Sequence, residues 1–374
     1  MTTSEPILVH NPVQLPSQIE AMRMPMGEVG DYKPCLAKLP TGELWLIGFV
    51  GSFDPSVTRE DIFLYKSEDD GHTWSEREYL PILGREPWLS ITSNGVVFVT
   101  THMLTREDRN ELGCTYSYLH WTDNEARTWD TLRISGEDVP GAAPDAWTHT
   151  SRNVLELDDG TLLLGVSAAQ VPRDYLWRSN DGGKTWDRSI YCDYAGEGID
   201  RSNVSIPFMA ETMFHQTPNG DLHALFRVDQ ASVRPIEGRN PPDETSDQFE
   251  RLAHFRSRDS GRHWHLEPEI GSTYGEMYPS LLSLDNDRLL LTFTVRELHP
   301  PLGARAIVGR QVGDGFSFDF QRDRLMIDVK SPVGLSSGGG FGPTVQTTAG
   351  DLLTAYSYRG PDDKVRIELA RWRL

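Results

Sequence analysis

The stretch SEDDGHTW at residues 67–74 decides the fold, because two further clean copies of it occur along the chain. SNDGGKTW stands at residues 179–186 and SRDSGRHW at residues 257–264, so all three fit the pattern S-x-D-x-G-x-(T/H)-W. A degenerate copy, TDNEARTW, occupies residues 122–129, and a more degenerate one, QVGDGFSF, occupies residues 311–318. In such a turn the Asp accepts backbone N–H groups, the Gly takes a left-handed conformation and the Trp packs between sheets. The motif therefore predicts repeated structural turns, and its aspartates are not expected to be catalytic.

A second repeat is a β-hairpin: a short apolar strand, a turn with Gly or Asp, and another apolar strand. It occurs six times, with turns 53, 65, 60, 67 and 63 residues apart, centred on Gly42, Gly95, Gly160, Gly220, Asp287 and Gly350. That spacing leaves room for about four strands in each repeat. The two repeats together predict an all-β chain, a six-bladed β-propeller in which residues 1–374 form a single domain.

The charge of the chain limits its partners. With 36 Lys and Arg against 55 Asp and Glu, the 374 residues carry a formal net charge of −19. Nucleic acids require a basic face, and anionic membranes repel an acidic surface, so neither is an expected partner. No apolar run is long enough for a membrane-spanning helix. An anionic substrate would need arginines concentrated in a pocket, against the field of the whole molecule.

The cysteines and the first residues indicate the compartment. Cys35, Cys114 and Cys192 have no CxxC or CxxH spacing, so neither a zinc site nor any other metal or cofactor is expected. An odd number of cysteines fits a reducing environment. The first residues lack the basic and apolar regions of a signal peptide, which predicts a cytoplasmic protein. A secreted protein whose signal had been removed would look the same.

On the repeats at residues 67–74, 179–186 and 257–264, the chain resembles the sialidase superfamily. Its members carry this motif, the Asp-box, on a six-bladed propeller, and the resemblance covers essentially the whole chain. It implies a protein that acts on a glycan or a small saccharide. Propellers with these repeats also include proteins that bind without catalysis, so the fold does not decide the function.

Aligning the six hairpins on their turns places one end of each innermost strand at a common channel mouth. The six positions at this mouth are Tyr32/Lys33, Arg85/Glu86, His149 to Ser151, Glu211, Glu276 to Tyr278, and Phe341. Three of the six repeats therefore place a Glu there. Charged residues are seldom left in a shared interior without partners or a purpose. Either at least one glutamate acts on a ligand, or each pairs with a neighbouring Arg or Lys and locks the blades together.

Sialidases hold the sugar carboxylate with three arginines, cleave with a Tyr activated by a Glu, and use an Asp as acid/base. The fourth hairpin, AETMFHQTPNGDLHALFR, is similar to the stretch that carries the activating Glu and one arginine, which implies Glu211 and Arg227. TVRELHPPLGARAIVGR is similar to the segment that carries another arginine, which implies Arg305, with Arg296 as second choice. Guanidinium groups bind carboxylates bidentately and stay charged.

The first blade departs from the sialidase pattern. MRMPM resembles the Arg-Ile-Pro motif at Arg23, yet the turn alignment puts Tyr32 and Lys33 where that motif belongs. Asp54, in GFVGSFDPS, holds the place of the acid/base Asp, and Asp61 competes with it. An Asp before Pro is equally typical of a turn.

The sixth blade departs further, because Phe341 aligns with the nucleophilic Tyr and a phenyl ring cannot attack a sugar. Tyr278, from the neighbouring blade, is a candidate substitute, as are Tyr356 and Tyr358.

The leading prediction is an exo-acting glycoside hydrolase for a terminal, carboxylate-bearing sugar. A neutral sugar would allow a carboxylate pair, Glu211 with Glu276 or Glu86, similar to exo-arabinanases. A polysaccharide lyase would need a base and a carboxylate-binding Arg, such as His149 and Tyr278 with Arg227. A non-catalytic glycan-binding propeller is the remaining alternative. The polar, Pro-rich stretch 230–250 fits either a rim of the channel mouth or a contact in a homo-oligomer.

Overall fold

A computed structural model describes residues 2–51, 58–169, 171, 174–192, 211–228, 251–267, 276–285, 287–295, 302–313, 315–331 and 340–374. These residues are mainly β-strand, with one short 3-10 helix at Gly136–Asp138. None of the helices in these ranges is long and apolar enough to cross a membrane.

The strands of the first half are β1 (Thr3–Ser4), β2 (Ile7–His10), β3 (Gln18–Ile19), β4 (Ala21–Met26), β5 (Asp31–Lys38), β6 (Leu44–Val50), β7 (Ile62–Ser67), β8 (Glu78–Tyr79), β9 (Arg85–Ile91), β10 (Val97–Met103), β11 (Tyr116–Thr122), β12 (Asp130–Ile134), β13 (Thr148–Thr150), β14 (Leu155–Glu156), β15 (Leu162–Ala168), β16 (Asp174–Ser179) and β17 (Tyr191–Cys192). Those of the second half are β18 (Met213–Gln216), β19 (Leu222–Val228), β20 (Arg251–Ser257), β21 (His265–Leu266), β22 (Glu276–Ser283), β23 (Arg288–Val295), β24 (Gly303–Val312), β25 (Gly315–Ser317), β26 (Arg324–Met326), β27 (Gly340–Gln346), β28 (Leu352–Arg359) and β29 (Val365–Trp372).

These strands form six antiparallel sheets, numbered here along the chain. The first has the order β5-β6-β7-β8, the second β9-β10-β11-β12, the third β13-β15-β16-β17 with β14 beside β15, and the fourth β18-β19-β20-β21. The fifth is β22-β23-β24-β26-β2-β3 with β25 beside β24, and the sixth is β27-β28-β29-β4-β1. The innermost strand β5 contacts both β9 and β27, and β27 contacts β22. The sheets thus stand around an axis, and the fold is an all-β propeller.

The first residues of the chain complete its last two sheets. Strand β4 pairs with β29 over six positions, from Ala21 opposite Trp372 to Met26 opposite Ile367. Strand β2 pairs with β26 of the fifth sheet, from Leu8 opposite Met326 to His10 opposite Arg324. The ring is therefore closed by hydrogen bonds between distant parts of the sequence.

All six predicted hairpins are confirmed, since the strands on either side of each predicted turn pair with one another. The inner strands are apolar on both faces: β15, LLLGVSA, is buried at every residue. Continuous apolar runs are typical of strands covered on both sides. Four tryptophans are among the largest fully buried side chains, namely Trp45, Trp177, Trp264 and Trp372.

The repeated Asp turns have the structural role that the sequence predicts. The Asp69 carboxylate accepts the backbone N–H groups of His72 at 3.0 Å and Thr73 at 2.8 Å. Asp181 and Asp259 make the equivalent bonds in their turns. These aspartates stabilise turns in the first, third and fourth sheets, at the end opposite the channel mouth described below.

Candidate functional site

Four innermost strands share an irregularity at one end. The pairing register shifts in β5, β9, β22 and β27, where the inner strand carries one more residue than its partner. Three of the extra residues take a left-handed conformation, Lys33 with φ 43°, Glu86 with φ 52° and Tyr278 with φ 55°, and each precedes a proline. Proline has no N–H group to donate, so it is tolerated at a bulge. A bulge redirects its side chain, here toward the axis.

Six side chains form a cluster on this axis, four from inner strands and two, Arg152 and Glu211, from residues next to an inner strand. We call it the axial cluster, and it consists of Lys33, Glu86, Arg152, Glu211, Tyr278 and Phe341. Positive φ values also occur at Glu211 (59°) and Phe341 (62°). A left-handed conformation is uncommon for residues other than glycine, and such strain is concentrated at functional sites. Its repetition around one axis marks this end of the propeller as the candidate site.

Glu86 lies between two cations. Its carboxylate accepts hydrogen bonds from the Lys33 ammonium and, at 3.0 Å, from Nη2 of Arg152. Burial alone would raise the pKa of Glu86, but the charges of Lys33 and Arg152 outweigh it and hold that pKa well below its usual range. Glu86 is therefore ionised at neutral pH.

Glu211 has a similar environment and more access to solvent. It accepts hydrogen bonds from Nη2 of Arg152 and, at 2.9 Å, from Nη1 of Arg227. Burial raises its pKa, and the two arginines more than offset this, so the pKa is lowered overall. Its side chain is 13% exposed against 7% for Glu86, which makes it the more accessible carboxylate.

Aromatic rings form the floor of the axial cluster. Tyr278 and Phe341 meet edge to face with ring centroids 5.2 Å apart. The Arg152 guanidinium lies 4.6 Å from the Phe341 centroid, and the Lys33 ammonium lies 4.4 Å from that of Tyr278. Lys33 also donates a hydrogen bond of 2.8 Å to the Tyr278 hydroxyl. Cations stacked on buried rings gain attraction from the ring quadrupole.

A polar pocket, called here the slot, opens beside the axial cluster between the second and third sheets. It encloses about 20 Å³ and is lined by Glu86, Thr100, Thr101, His102, His149, Thr150, Ser151, Arg152 and Glu211. A cavity needs about 10–15 Å³ to hold one water molecule. The slot therefore has room for one or two groups the size of a hydroxyl, while the ring of a sugar would lie outside its mouth.

Two ionisable residues of this site, Arg152 and His102, were not predicted from the sequence. Arg152 stands one position before Asn153, the first residue of the third hairpin, just as Lys33, Glu86 and Tyr278 stand before the first residues of theirs. This shared position was the signal that could have found Arg152. His102 lies at the channel end of β10, the second strand of the hairpin around Gly95, for which no site residue was predicted.

The structure brings several of the predicted residues together. Glu86, Glu211, Arg227, Lys33 and Tyr278 belong to or contact the axial cluster. His149 lines the slot. Tyr278 is fully buried, and its hydroxyl accepts a hydrogen bond from Lys33. Tyr32, predicted to bind substrate at the mouth, is instead buried and packs into the core against Phe49, with ring centroids 5.6 Å apart.

Two other predicted arginines, Arg23 and Arg305, are not brought to the axial cluster. Arg23 is fully buried between the fifth and sixth sheets, where it donates to the Tyr356 hydroxyl at 2.6 Å and the Ile327 carbonyl at 2.8 Å. Arg305 is also buried and donates to the carbonyls of Ala304 at 2.8 Å and Asp328 at 2.9 Å. Burial lowers the pKa of Arg305 to about 10. Both guanidinium groups bind atoms of the protein interior, and of the predicted arginines that the structure describes, Arg227 contacts the axial cluster.

Three predicted positions cannot be assigned a place in the site. Asp54 and Arg296 lie outside the described residues, and so does the side chain of Glu276, whose backbone belongs to β22. Asp61, the competitor of Asp54, forms an ion pair of 2.9 Å with Arg109.

No known protein-family model matches this chain, and no curated protein matches it. Solved structures do share its fold. A protein of unknown function from Dyadobacter fermentans is 18% identical, with a TM-score of 0.68 over 100% of this chain and 99% of that one. The intramolecular trans-sialidase from Ruminococcus gnavus is 11% identical, with a TM-score of 0.64 over 92% and 94%. The α-L-arabinofuranosidase from Fusarium graminearum is 12% identical, with a TM-score of 0.57 over 99% and 98%. Likeness at these identities shows the β-propeller fold alone.

Proposed function

We propose that this protein is an exo-acting glycoside hydrolase that cleaves a terminal, carboxylate-bearing sugar from a glycan. We further infer that each of the six sheets is one blade and that residues 1–374 make one propeller domain. Glycoside hydrolases occur among the proteins that share this fold, including a trans-sialidase and an arabinofuranosidase. The function itself must be argued from the axial cluster, because one fold hosts many activities.

The observation that carries the proposal is the local charge around Glu211. Lys33, Arg152 and Arg227 supply three cations to two carboxylates, whereas the chain as a whole has a net charge of −19. Concentrating positive charge in one pocket of an acidic protein serves to attract an anion. A sugar carboxylate is the anion that fits a glycan-directed site.

The geometry suggests a division of roles. Glu211 lines the slot and is the more exposed carboxylate, so we assign it the proton transfer or the attack at the anomeric carbon. Arg227, whose side chain is 10% exposed, and Arg152 would bind the carboxylate of the substrate. Lys33, Tyr278 and Phe341 lie beneath them and fix their positions.

The test is turnover of fluorogenic glycosides of sialic acid, a uronic acid, arabinofuranose and neutral hexoses. We expect activity on a sialoside or a uronide, and its loss in the Arg227→Ala variant. The matched control is Arg258→Ala, in the same sheet, whose guanidinium is 59% exposed and lies at the opposite end of β20. Full activity of Arg227→Ala on an acidic sugar would contradict the proposal. Saccharide binding without turnover of any glycoside would favour the non-catalytic alternative.

A second candidate, hydrolysis of a neutral sugar by a carboxylate pair, is favoured by one contact. Glu86 and Glu211 both bind Nη2 of Arg152, so their nearest carboxylate oxygens lie closer together than the roughly 6.5–9.5 Å typical of inverting enzymes. Such a pair fits the retaining geometry. Both carboxylates are ionised in this structure, however, and a retaining enzyme needs one of them protonated, which ranks this candidate second.

The two candidates differ in their response to the same variants. The carboxylate pair predicts that Glu211→Gln abolishes turnover of a neutral glycoside while Arg227→Ala only weakens it. It also predicts that the first product keeps the anomeric configuration of the substrate, which proton NMR of a fresh reaction would show. Inversion would exclude the pair as nucleophile and acid.

A further inference from the structure

Most polar groups that line the slot already have protein partners. The carboxylates of Glu86 and Glu211 are bound by cations, as described above. The Thr100 hydroxyl donates to the Arg152 carbonyl at 2.6 Å, and the Thr101 hydroxyl donates to the Leu83 carbonyl at 2.7 Å. The two threonine hydroxyls therefore have no proton left to donate to a ligand.

The two histidines of the slot differ from these groups. Within the described part of the chain, neither His102 nor His149 has a hydrogen-bond partner for a ring nitrogen, and their ring centroids are 6.1 Å apart. His120, on the adjacent strand, shows what a structural histidine looks like here. Its Nδ1 lies 2.8 Å from the Thr131 hydroxyl and its Nε2 lies 2.9 Å from the Leu83 carbonyl. Unlike the fully buried His120, His102 and His149 are half-buried, so their ring nitrogens are accessible to a ligand.

Both imidazoles are neutral at physiological pH. Burial lowers the pKa of His102 to about 3 and also lowers the pKa of His149. A neutral imidazole has one N–H donor and one acceptor nitrogen, which matches a hydroxyl group, itself both donor and acceptor. Two such rings 6.1 Å apart can each bind one of two neighbouring hydroxyls on a sugar ring.

We propose that His102 and His149 together bind two adjacent hydroxyl groups of the terminal sugar, and so determine which sugar the slot accepts. This inference rests on the proposed function, because it assigns the sugar to the slot beside Glu211. It adds His102, from the second sheet, as a specificity-determining residue. The chemistry it requires of the ligand is a vicinal diol with the geometry of a sugar ring.

The experiment is nitrogen NMR of the intact protein labelled with ¹⁵N-histidine. Methyl glycosides of sialic acid, glucuronic acid, arabinofuranose and galactose are the probes. We expect one of them to shift the ring-nitrogen signals of His102 and His149, assigned by their disappearance in the His102→Asn and His149→Asn variants. Signals of the exposed His10 and His72 should stay unchanged.

Leucine variants measure how much each histidine contributes to the affinity for the sugar. His102→Leu and His149→Leu should each weaken binding of that probe about three- to tenfold, the worth of one neutral hydrogen bond. His102→Gln, which keeps a hydrogen-bonding group, should bind more tightly than His102→Leu. His72→Leu, in a distant exposed turn, is the matched control.

The outcomes separate this inference from the proposed function. Histidine shifts without turnover of any glycoside would support the diol site and contradict the hydrolase. Turnover with unchanged KM in both leucine variants would contradict the diol site and leave the hydrolase standing. If no probe shifts either histidine signal, the diol site is wrong.

Discussion

Arg152 connects two carboxylates that would otherwise repel each other. Its Nη2 binds both Glu86 and Glu211, and its guanidinium lies over the ring of Phe341. Removing these charged groups from water is costly, and the cost is offset only while every charge keeps its partners. The axial cluster is therefore a place where one substitution affects several residues at once.

Replacing Arg152 by Met, which keeps an unbranched stem, should lower the free energy of unfolding by about 3–5 kcal/mol, because two buried carboxylates lose a partner. Arg227→Met should lower the free energy of unfolding by less, because only Glu211 loses an ion-pair partner. Urea denaturation of both variants measures the difference. Equal losses would mean that Arg152 does not hold the two carboxylates together.

The residues that sequence reasoning found and missed have a common explanation. Glu86, Glu211 and Lys33 could be predicted because their distance from a hairpin turn is fixed by the strand between them. Arg152 escaped because the third inner strand is interrupted between β13 and β14 and its hairpin begins with Asn153 in place of Pro. Arg305 was placed at the mouth by local similarity, which does not reveal the face of β24 from which the side chain projects.

At the scale of the elements, the glycines of the Asp turns have a second function in packing. Gly261 has φ +86°, and a Cβ atom added there would overlap the Leu176 side chain of the third sheet. Gly71 similarly approaches Leu353 of the sixth sheet, with 2.8 Å between the added Cβ and Cδ2. Each turn thus fits closely against the preceding sheet.

Gly261→Ala and Gly160→Ala separate the two functions. Both glycines have positive φ, but a Cβ added at Gly160 meets nothing within 4 Å. Gly160→Ala should cost about 1–2 kcal/mol for the left-handed conformation alone. Gly261→Ala should cost a further 1–3 kcal/mol or so from the overlap. Similar losses in chemical denaturation would show that the sheets adjust to the added methyl group.

The hairpins could be predicted from sequence because a Gly turn between two apolar strands is a local pattern. The outer strands could not, because β2 and β4 pair with β26 and β29 more than 300 residues away. Nothing in the local sequence identifies such a partner. The bulges could not be predicted either, although a proline follows Lys33, Glu86 and Tyr278 at three of them.

At the scale of the whole molecule, buried neutral histidines predict sensitivity to mild acid. Burial lowers the pKa of four of them to about 3 or 4, namely His102, His120, His215 and His254. The unfolded chain takes up these protons near pH 6.5, whereas the folded protein takes them up only near pH 3–4. Their contribution to stability is complete above pH 6.5 and is lost as the pH falls toward the folded values.

The free energy of unfolding should therefore decline between pH 6.5 and pH 4, which urea titrations at several pH values would measure. His254→Phe keeps an aromatic ring beside Phe316, whose centroid is 5.3 Å away, and should flatten this decline. Glu86 and Glu211 add a second decline below about pH 4.5, because their lowered pKa values stabilise the fold only above that range. A constant stability from pH 7 to pH 5 would contradict the histidine contribution.

The pairing of β4 with β29 has a consequence for synthesis. A ribosome releases β4 long before β29 exists, so the early strand waits with its hydrogen-bonding edge unoccupied while more than 300 residues follow it. Unpaired edges of that kind recruit strands from other chains. The nascent protein must therefore be shielded from its neighbours until its own far end arrives to close the ring.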